Sequence, residues 1–461
     1  MKKMFTKLFS TALLFTLIFA GLAVKAQTLA ATTIKPAVSK ADLTTEAKPA
    51  VKGETTAATA VKTETKAAQD TSWKPQRRLW GYTFGDFYYE GHADGFNRGP
   101  ETMYNGVPQY RNAFQFRRMY LGYDYDITKK FKAEVLLASE PNANTGVNGT
   151  TSIQNGDNLV DGKMAFWIKN FNIRVRDVWT GTDFIIGEMS TPGFALNEPG
   201  TNGPTSLSEA TWGYRSIEKT ITDFHKNNSY DVGAALQGTF DPATKNFGYV
   251  FMVGNNSQAS LLTAANANTG FYKIFYGDIW AKFLDKKLYV DLYADYAKTA
   301  AATAVIPGQE HNMYKVFAAY TISTAATIGV EAYTQNIASG VTNTATKTPE
   351  DATVKGISIW ARGNFAKNWN YYARYDSYNP NSDYNTADSY TVNTNYGSYT
   401  PAYKEQFYTA GVDYNPTKNV HFMPNLWAIY YQDNRDAATT GYQTNNHTLV
   451  YRFTFYYTFG K

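Results

Sequence analysis

The segment Leu449-Val-Tyr-Arg-Phe-Thr-Phe-Tyr-Tyr-Thr-Phe459 places Leu449, Tyr451, Phe453, Phe455, Tyr457 and Phe459 at every second position. Side chains alternate faces along a strand, so one face of this segment is continuously apolar and aromatic. The other face carries Thr448, Arg452, Thr454 and Thr458. A strand with one face for lipid and one for water belongs in a membrane barrel. Hydrocarbon admits strands only when no backbone edge is left open, so such a last strand has to pair with the first. The reading is an all-β fold, a transmembrane antiparallel β-barrel of the outer membrane of a Gram-negative bacterium.

The other end of the chain agrees with that address. Lys2, Lys3 and Lys7 precede the apolar run Leu8 to Val24, and Val24-Lys25-Ala26 has small residues at cleavage-site spacing. Residues 1–26 therefore read as a cleaved signal peptide; a membrane anchor is the alternative, but the apolar core is short and polar sequence follows at once. Residues 27–75 are Ala, Thr, Lys and Glu with hardly an aromatic, too poor in bulky groups for a core, and read as a flexible periplasmic leader. The barrel is assigned to 76–461. The absence of cysteine leaves no disulfide framework and no thiolate chemistry.

Charge divides unevenly along the chain. Residues 1–75 hold 11 Lys and 5 acids, a net +6, whereas the whole chain is +5, so the remainder sums to −1. The basicity belongs to the leader and argues neither for nucleic acid nor for an anion-selective body. Mean hydropathy is −0.42, too polar for a helical membrane protein and compatible with a barrel whose strands are half wet.

From Trp80 onward, segments with period-two patterning are joined by connections of alternating length. Short polar turns fall at 126–130, 177–182, 241–245, 284–287, 323–326, 366–368 and 415–418. Long Gly-, Asn-, Thr- and Pro-rich stretches fall at 91–111, 141–162, 191–228, 256–270, 299–310, 338–352, 379–403 and 433–446. Seven short and eight long connections give about 16 strands with both ends on the short-turn, periplasmic side. A soluble sandwich has no reason to gather every long loop at one end. Pro424 inside the segment Val420 to Tyr431 is explained by a bulge. The third loop, 191–228, is the longest. Its second half, SLSEATWGYRSIEKTITDF, opens with Ser and Glu suited to a helix start, and its Trp212, Tyr214, Ile217, Ile221 and Phe224 are expected to fold the loop toward the lumen.

Five stretches carry a resemblance: AFQFRRMYLGYDYDITKKFKAEVLLASE, FIIGEMSTPGF, WGYRSIEKTITD, SYDVGAALQGTF and WNYYARYDSYNPN. With these the body resembles the phosphate-selective porin O and P family of outer-membrane porins. The resemblance implies a sixteen-stranded barrel, a homotrimer, and a third loop that narrows a pore for passive diffusion of ions and small polar or anionic solutes. It does not carry over the substrate. Anion or phosphate preference in that family rests on inward Arg and Lys, so the inward residues of this chain need their own reading.

Taking the apolar row of each strand as lipid-facing, the inward row holds Arg118, Lys132, Arg174, Arg176, Lys282, Lys315, Arg362, Arg374 and Arg452, together with Asp124, Glu134, Asp278, Asp291, Asp295, Glu331, Asp376 and Asp413. Nine basic against eight acidic residues is no one-signed anion funnel. Asp278, Asp291, Asp295 and Glu331 fall on consecutive central strands, and the Arg residues on early and late strands that meet when the barrel closes. That arrangement predicts a field across the lumen; the competing reading is that these charges pair across neighbouring strands and only satisfy the wall. In the third loop Arg215, Glu218, Lys219 and Asp223 are the constriction candidates. Arg215 and Lys219 could hold an anion, or Arg215 with Glu218 and Lys219 with Asp223 could form local helical pairs, the reading favoured here. Trp80, Tyr82, Trp369, Tyr371, Tyr430 and Tyr457 are read as interfacial belt, and Tyr289 and Tyr293 as a possible sugar-guiding track.

Catalysis finds no support. The five His, at 92, 225, 311, 421 and 447, are scattered, with no pair at metal-ligand spacing, no Ser-centred nucleophile motif and no phosphate-cradling Gly loop. No cofactor or metal is expected. A plug-bearing active transporter would need a folded domain ahead of the barrel, which the leader's composition does not provide. A structural or partner-binding barrel without an open channel is the remaining alternative.

Overall fold

The computed structural model describes residues 73–96, 98, 107–139, 159–160, 163–164, 166–193, 216–217, 219–225, 229–256, 272–299, 308–393 and 401–460. The segments read as signal peptide, 1–26, and leader, 27–75, lie outside them apart from 73–75. The described residues belong to one compact unit, Asp70–Lys461.

Sixteen long strands form the wall: β1 (Arg77–His92), β2 (Asn112–Asp126), β3 (Phe131–Ser139), β6 (Trp167–Trp179), β7 (Thr182–Ser190), β8 (Tyr230–Thr239), β9 (Phe247–Gly254), β10 (Ile274–Phe283), β11 (Leu288–Lys298), β12 (Glu310–Ser323), β13 (Ala326–Asn343), β14 (Pro349–Ala366), β15 (Trp369–Asn379), β17 (Tyr403–Thr417), β18 (Val420–Asp433) and β19 (Asn446–Phe459). A two-residue hairpin, β4 (Leu159–Val160) with β5 (Lys163–Met164), lies within the second loop, and β16 (Tyr390–Val392) within the seventh. Each wall strand pairs antiparallel with its predecessor, and β1 pairs with β19 from Gly81↔Phe459 to His92↔Leu449. The barrel is closed with sixteen strands.

All seven short turns stand where the spacing puts them. The sixth long loop does not: β13 runs on to Asn343 and β14 starts at Pro349, so the stretch 338–352 is mostly paired backbone. Its Gly, Thr, Asn and Pro residues suggest a loop, but a bulge between Ile337 and Val341 lets the hairpin continue. Pro424 is also handled differently from the expected bulge. Its pairing with Phe453 keeps the unbroken β18–β19 register, and the β17 ladder omits the rungs between Gly411↔Asn425 and Tyr414↔Phe422 without changing register. The missing donor of proline costs those rungs and no more.

The face assignment follows the last strand. Tyr451, Phe453, Phe455 and Tyr457 are exposed on the outside, and Thr448, Val450, Arg452, Thr454 and Tyr456 are buried within. Trp369, Tyr430 and Tyr457 are outward as belt residues should be. Trp80 and Tyr82 are not: both are buried on the inner face, because β1 carries aromatics on both sides. Several inner rings lie over a glycine of the adjacent strand. An added Cβ at Gly122 would stand 2.1 Å from Trp80, at Gly248 2.1 Å from Trp280, at Gly329 2.2 Å from Trp360, and at Gly356 2.0 Å from Tyr333. Each ring fills the notch that its glycine leaves in the wall.

Candidate functional site: the inner wall

The inner rows place Arg118, Lys132, Arg174, Lys315, Arg374 and Arg452 among the buried residues, with Asp124, Glu134, Asp278, Asp291, Asp295, Glu331, Asp376 and Asp413. Arg176 and Arg362 share the inward parity but lie near the short-turn end and are only half-buried. Period-two patterning explains this placement, since each wall strand has one lipid-facing row.

Most of the cations are tied to carboxylates. Arg174 Nη1 donates to Asp183 at 3.1 Å and to Gln237 at 2.9 Å, and its Nε stands 3.6 Å from Glu134. Lys132 Nζ reaches Glu134 at 2.8 Å. Arg176 pairs with Asp126, and Arg374 forks onto Asp376 at 2.8 and 2.6 Å. Arg452 pairs with Asp86, which also accepts from Thr454 Oγ1 at 2.5 Å and Gln115 Nε2 at 3.0 Å. Arg118 lies over the Tyr120 ring at 5.0 Å. Glu134, Asp183, Asp376 and Asp86 thus serve Lys132, Arg174, Arg374 and Arg452 from two positions away or from the adjacent strand, and Asp126 reaches Arg176 from the second strand over.

The central sector differs. On β10, β11 and β13, Asp278, Asp291, Asp295 and Glu331 face inward. Asp295 accepts from Tyr293 Oη at 2.6 Å and lies 3.1 Å from His311 Nε2. Lys315 on β12 is buried among them and donates from Nζ to the carbonyl of Gly193 at 2.6 Å. Tyr293 is buried, with its hydroxyl on the Asp295 carboxylate and the Lys315 ammonium 5.5 Å from its ring centroid.

The third loop meets this wall from three directions. Arg117 Nη1 donates to the carbonyl of Ser216 at 2.8 Å, Arg374 Nη1 to that of Lys219 at 2.6 Å, and Lys315 to that of Gly193. Thr222 Oγ1 donates to Glu331 at 3.3 Å, and the His225 ring stacks on Tyr378 at 3.4 Å. The helical signal appears as one turn, α1 (Ile221–Phe224), with the Thr220 hydroxyl accepting from the amide of Asp223 at 3.2 Å. Because α1 starts only at Ile221, Lys219 precedes the cap, and the expected Lys219 to Asp223 pair does not form; Lys219 contributes its carbonyl. Arg215 and Glu218 lie outside the described residues.

Patterning missed three inner-wall groups. Arg117 enters beside Arg118 through a bulge opposite Phe84 and Gly85, and sits 3.5 Å from Asp86. The outward row Phe114, Phe116, Met119, Leu121 has a three-residue step that signals this shift. Asp86 and Glu90 on β1 were hidden because aromatics occupy both rows of that strand.

No protein-family model matches the chain, and no curated protein matches it in sequence. Among solved structures, the outer membrane channel DcaP of Acinetobacter baumannii is similar at a TM-score of 0.52 and 9% identity, over 84% of this chain and 97% of that one. An anion-selective porin from Comamonas acidovorans is similar at 0.51 and 12%, over 84% and 100%. At these identities the likeness is one of fold: a porin-like outer-membrane barrel.

Proposed function

We propose that the barrel is an outer-membrane channel for passive diffusion of ions and small polar solutes. The observation that carries this reading is the polar inner wall, on which described residues of the third loop are held by Arg117, Lys315 and Arg374 through backbone carbonyls. A wall lined by charges on successive strands, narrowed by a loop, is suited to hydrated solutes, and sixteen strands leave an aqueous channel. The acids of β10, β11 and β13 face the sector of Arg117, Arg118 and Arg452, which supports a field across the lumen. Phosphate preference is not favoured, since Arg174, Arg374 and Arg452 each already hold a carboxylate. On their sequence pattern residues 1–26 act as signal peptide and 27–75 as a periplasmic leader, and by resemblance to porins the assembly is a homotrimer.

Planar-bilayer recording of purified protein tests this. Stepwise conductance is expected, and Asp278→Asn with Asp291→Asn should shift ion preference toward anions. An electrically silent, folded barrel would favour the structural alternative.

A further inference from the structure

The seventh loop leaves the wall at Asn379 yet does not stay beside its own strands. Its β16 crosses to β13 and pairs there as Val341↔Val392, Thr342↔Thr391 and Asn343↔Tyr390. That edge of β13 is free because β12 begins only at Glu310, opposite residues below the bulge. To reach it from β15, the loop passes the β13–β14 hairpin, and the side it takes is marked by contacts. Tyr390 and Val392 pack against a buried cluster that contains Ile337, Val341, Ala352, Val354 and Tyr378, all in the inner rows. Tyr390 and Val392 therefore lie on the lumen side of the long-loop mouth.

It is fastened at both sides. Toward the hairpin, the Thr344 amide donates to the Ser389 carbonyl at 2.8 Å, the Asn393 amide to the Gly340 carbonyl at 3.0 Å, and Thr342 Oγ1 to Asn393 Oδ1 at 2.6 Å. Toward the eighth loop, the Asp436 amide donates to the Thr386 carbonyl at 2.8 Å, Thr439 Oγ1 to the same carbonyl at 3.0 Å, and Ser389 Oγ to the Thr440 carbonyl at 3.1 Å. Ile221 of α1 belongs to the same apolar cluster, and His225 stacks on its Tyr378. The strap and the third-loop helix thus share one support.

We infer that residues 380–393 are a fixed strap across the mouth that sets a size limit for entering solutes, ahead of the third loop. The inference rests on the channel reading. A strap bonded to two neighbouring loops and seated on an apolar cluster is a static filter, because moving it would expose that cluster and break both sets of bonds.

Three variants test it in bilayers and in liposomes swelling in neutral sugars of increasing size. Replacing residues 383–392 by a short Gly-Ser linker should raise single-channel conductance about two-fold and admit larger sugars. Val392→Asp with Tyr390→Ser, which unseats the strap without shortening it, should move the limit the same way if the deletion fails to fold. Val341→Cys with Val392→Cys joins directly opposed residues in a chain without native cysteine, and its oxidised form should conduct as the wild type does. An unchanged sugar limit in either folded unseated variant overturns the filter, and a loss of conductance on oxidation overturns its static character. A wild type that never conducts defeats the channel reading instead.

Discussion

Arg452 on the last strand and Asp86 on the first are joined as an ion pair across the seam that closes the barrel, and both side chains are buried. The guanidinium also lies 4.1 Å from the centroid of Trp427, and Arg117 Nε stands 3.5 Å from the same Asp86 oxygen that Arg452 reaches. Two cations therefore share one anion. Asp86→Asn should cost about 4 kcal/mol, because it removes the one carboxylate that both guanidinium groups share. Arg452→Met should cost less, since Arg117, Thr454 and Gln115 still serve Asp86. Urea unfolding in lipid vesicles reads both, and equal losses would contradict this ranking.

The glycine notches make a steric prediction. Gly329→Ala drives a methyl group into the ring of Trp360 and should destabilise the barrel by about 2 kcal/mol. Gly277→Ala is the internal control, since its nearest neighbours stand 3.9 Å away. Thermal loss of the compact electrophoretic form compares the two, and the first should fail at the lower temperature.

Arg374 has two duties that separate by mutation. Arg374→Met removes the partner of Asp376 and the clasp on the Lys219 carbonyl together. Adding Asp376→Asn removes the unpaired buried acid, so the double variant should regain most of the lost stability. It should not regain the clasp. Open-channel current is expected to be noisier than the wild type in both variants, and a quiet double variant would show that Arg374 does not restrain the loop.

The β8–β9 turn offers a pH test away from the membrane. Desolvation pushes the Asp241 carboxyl up, but bonds from Thr244 Oγ1 and from the amides of Asn246 and Phe247, at 2.8 and 2.9 Å, outweigh it and hold the group below the usual carboxylate range. A depressed folded-state value means that the contribution is full above the unfolded value and is lost as pH falls through the folded one. Wild type should thus exceed Asp241→Asn by a constant margin near neutrality. The margin should shrink only below about pH 4.

Strands were legible because lipid imposes one clean row per strand, and turns because their polar residues interrupt it. The same rule failed where it lost its contrast. On β1 the rings of Trp80, Tyr82, Phe84 and Tyr88 turn inward, Trp80 over Gly122, so Asp86 could not be placed by alternation. At Arg117 a bulge changed parity. The strap was invisible for another reason: Tyr390-Thr391-Val392 alternates, but three residues carry no statement of which distant edge they will join. Partners fixed by long-range geometry leave little trace in local pattern.

The ring of sixteen strands has a temporal meaning as well. Fifteen of its pairings join consecutive wall strands, and one, β1 with β19, joins distant parts of the chain, Asp86 and Arg452 for example lying 366 positions apart. Closing a segment of that length costs roughly 3 kcal/mol more in chain entropy than closing a hairpin of about 20 residues. Hairpins form first on this account, and the seam forms last. Weakening the seam would then accumulate a curled sheet with two bare edges, a species liable to join another copy of itself.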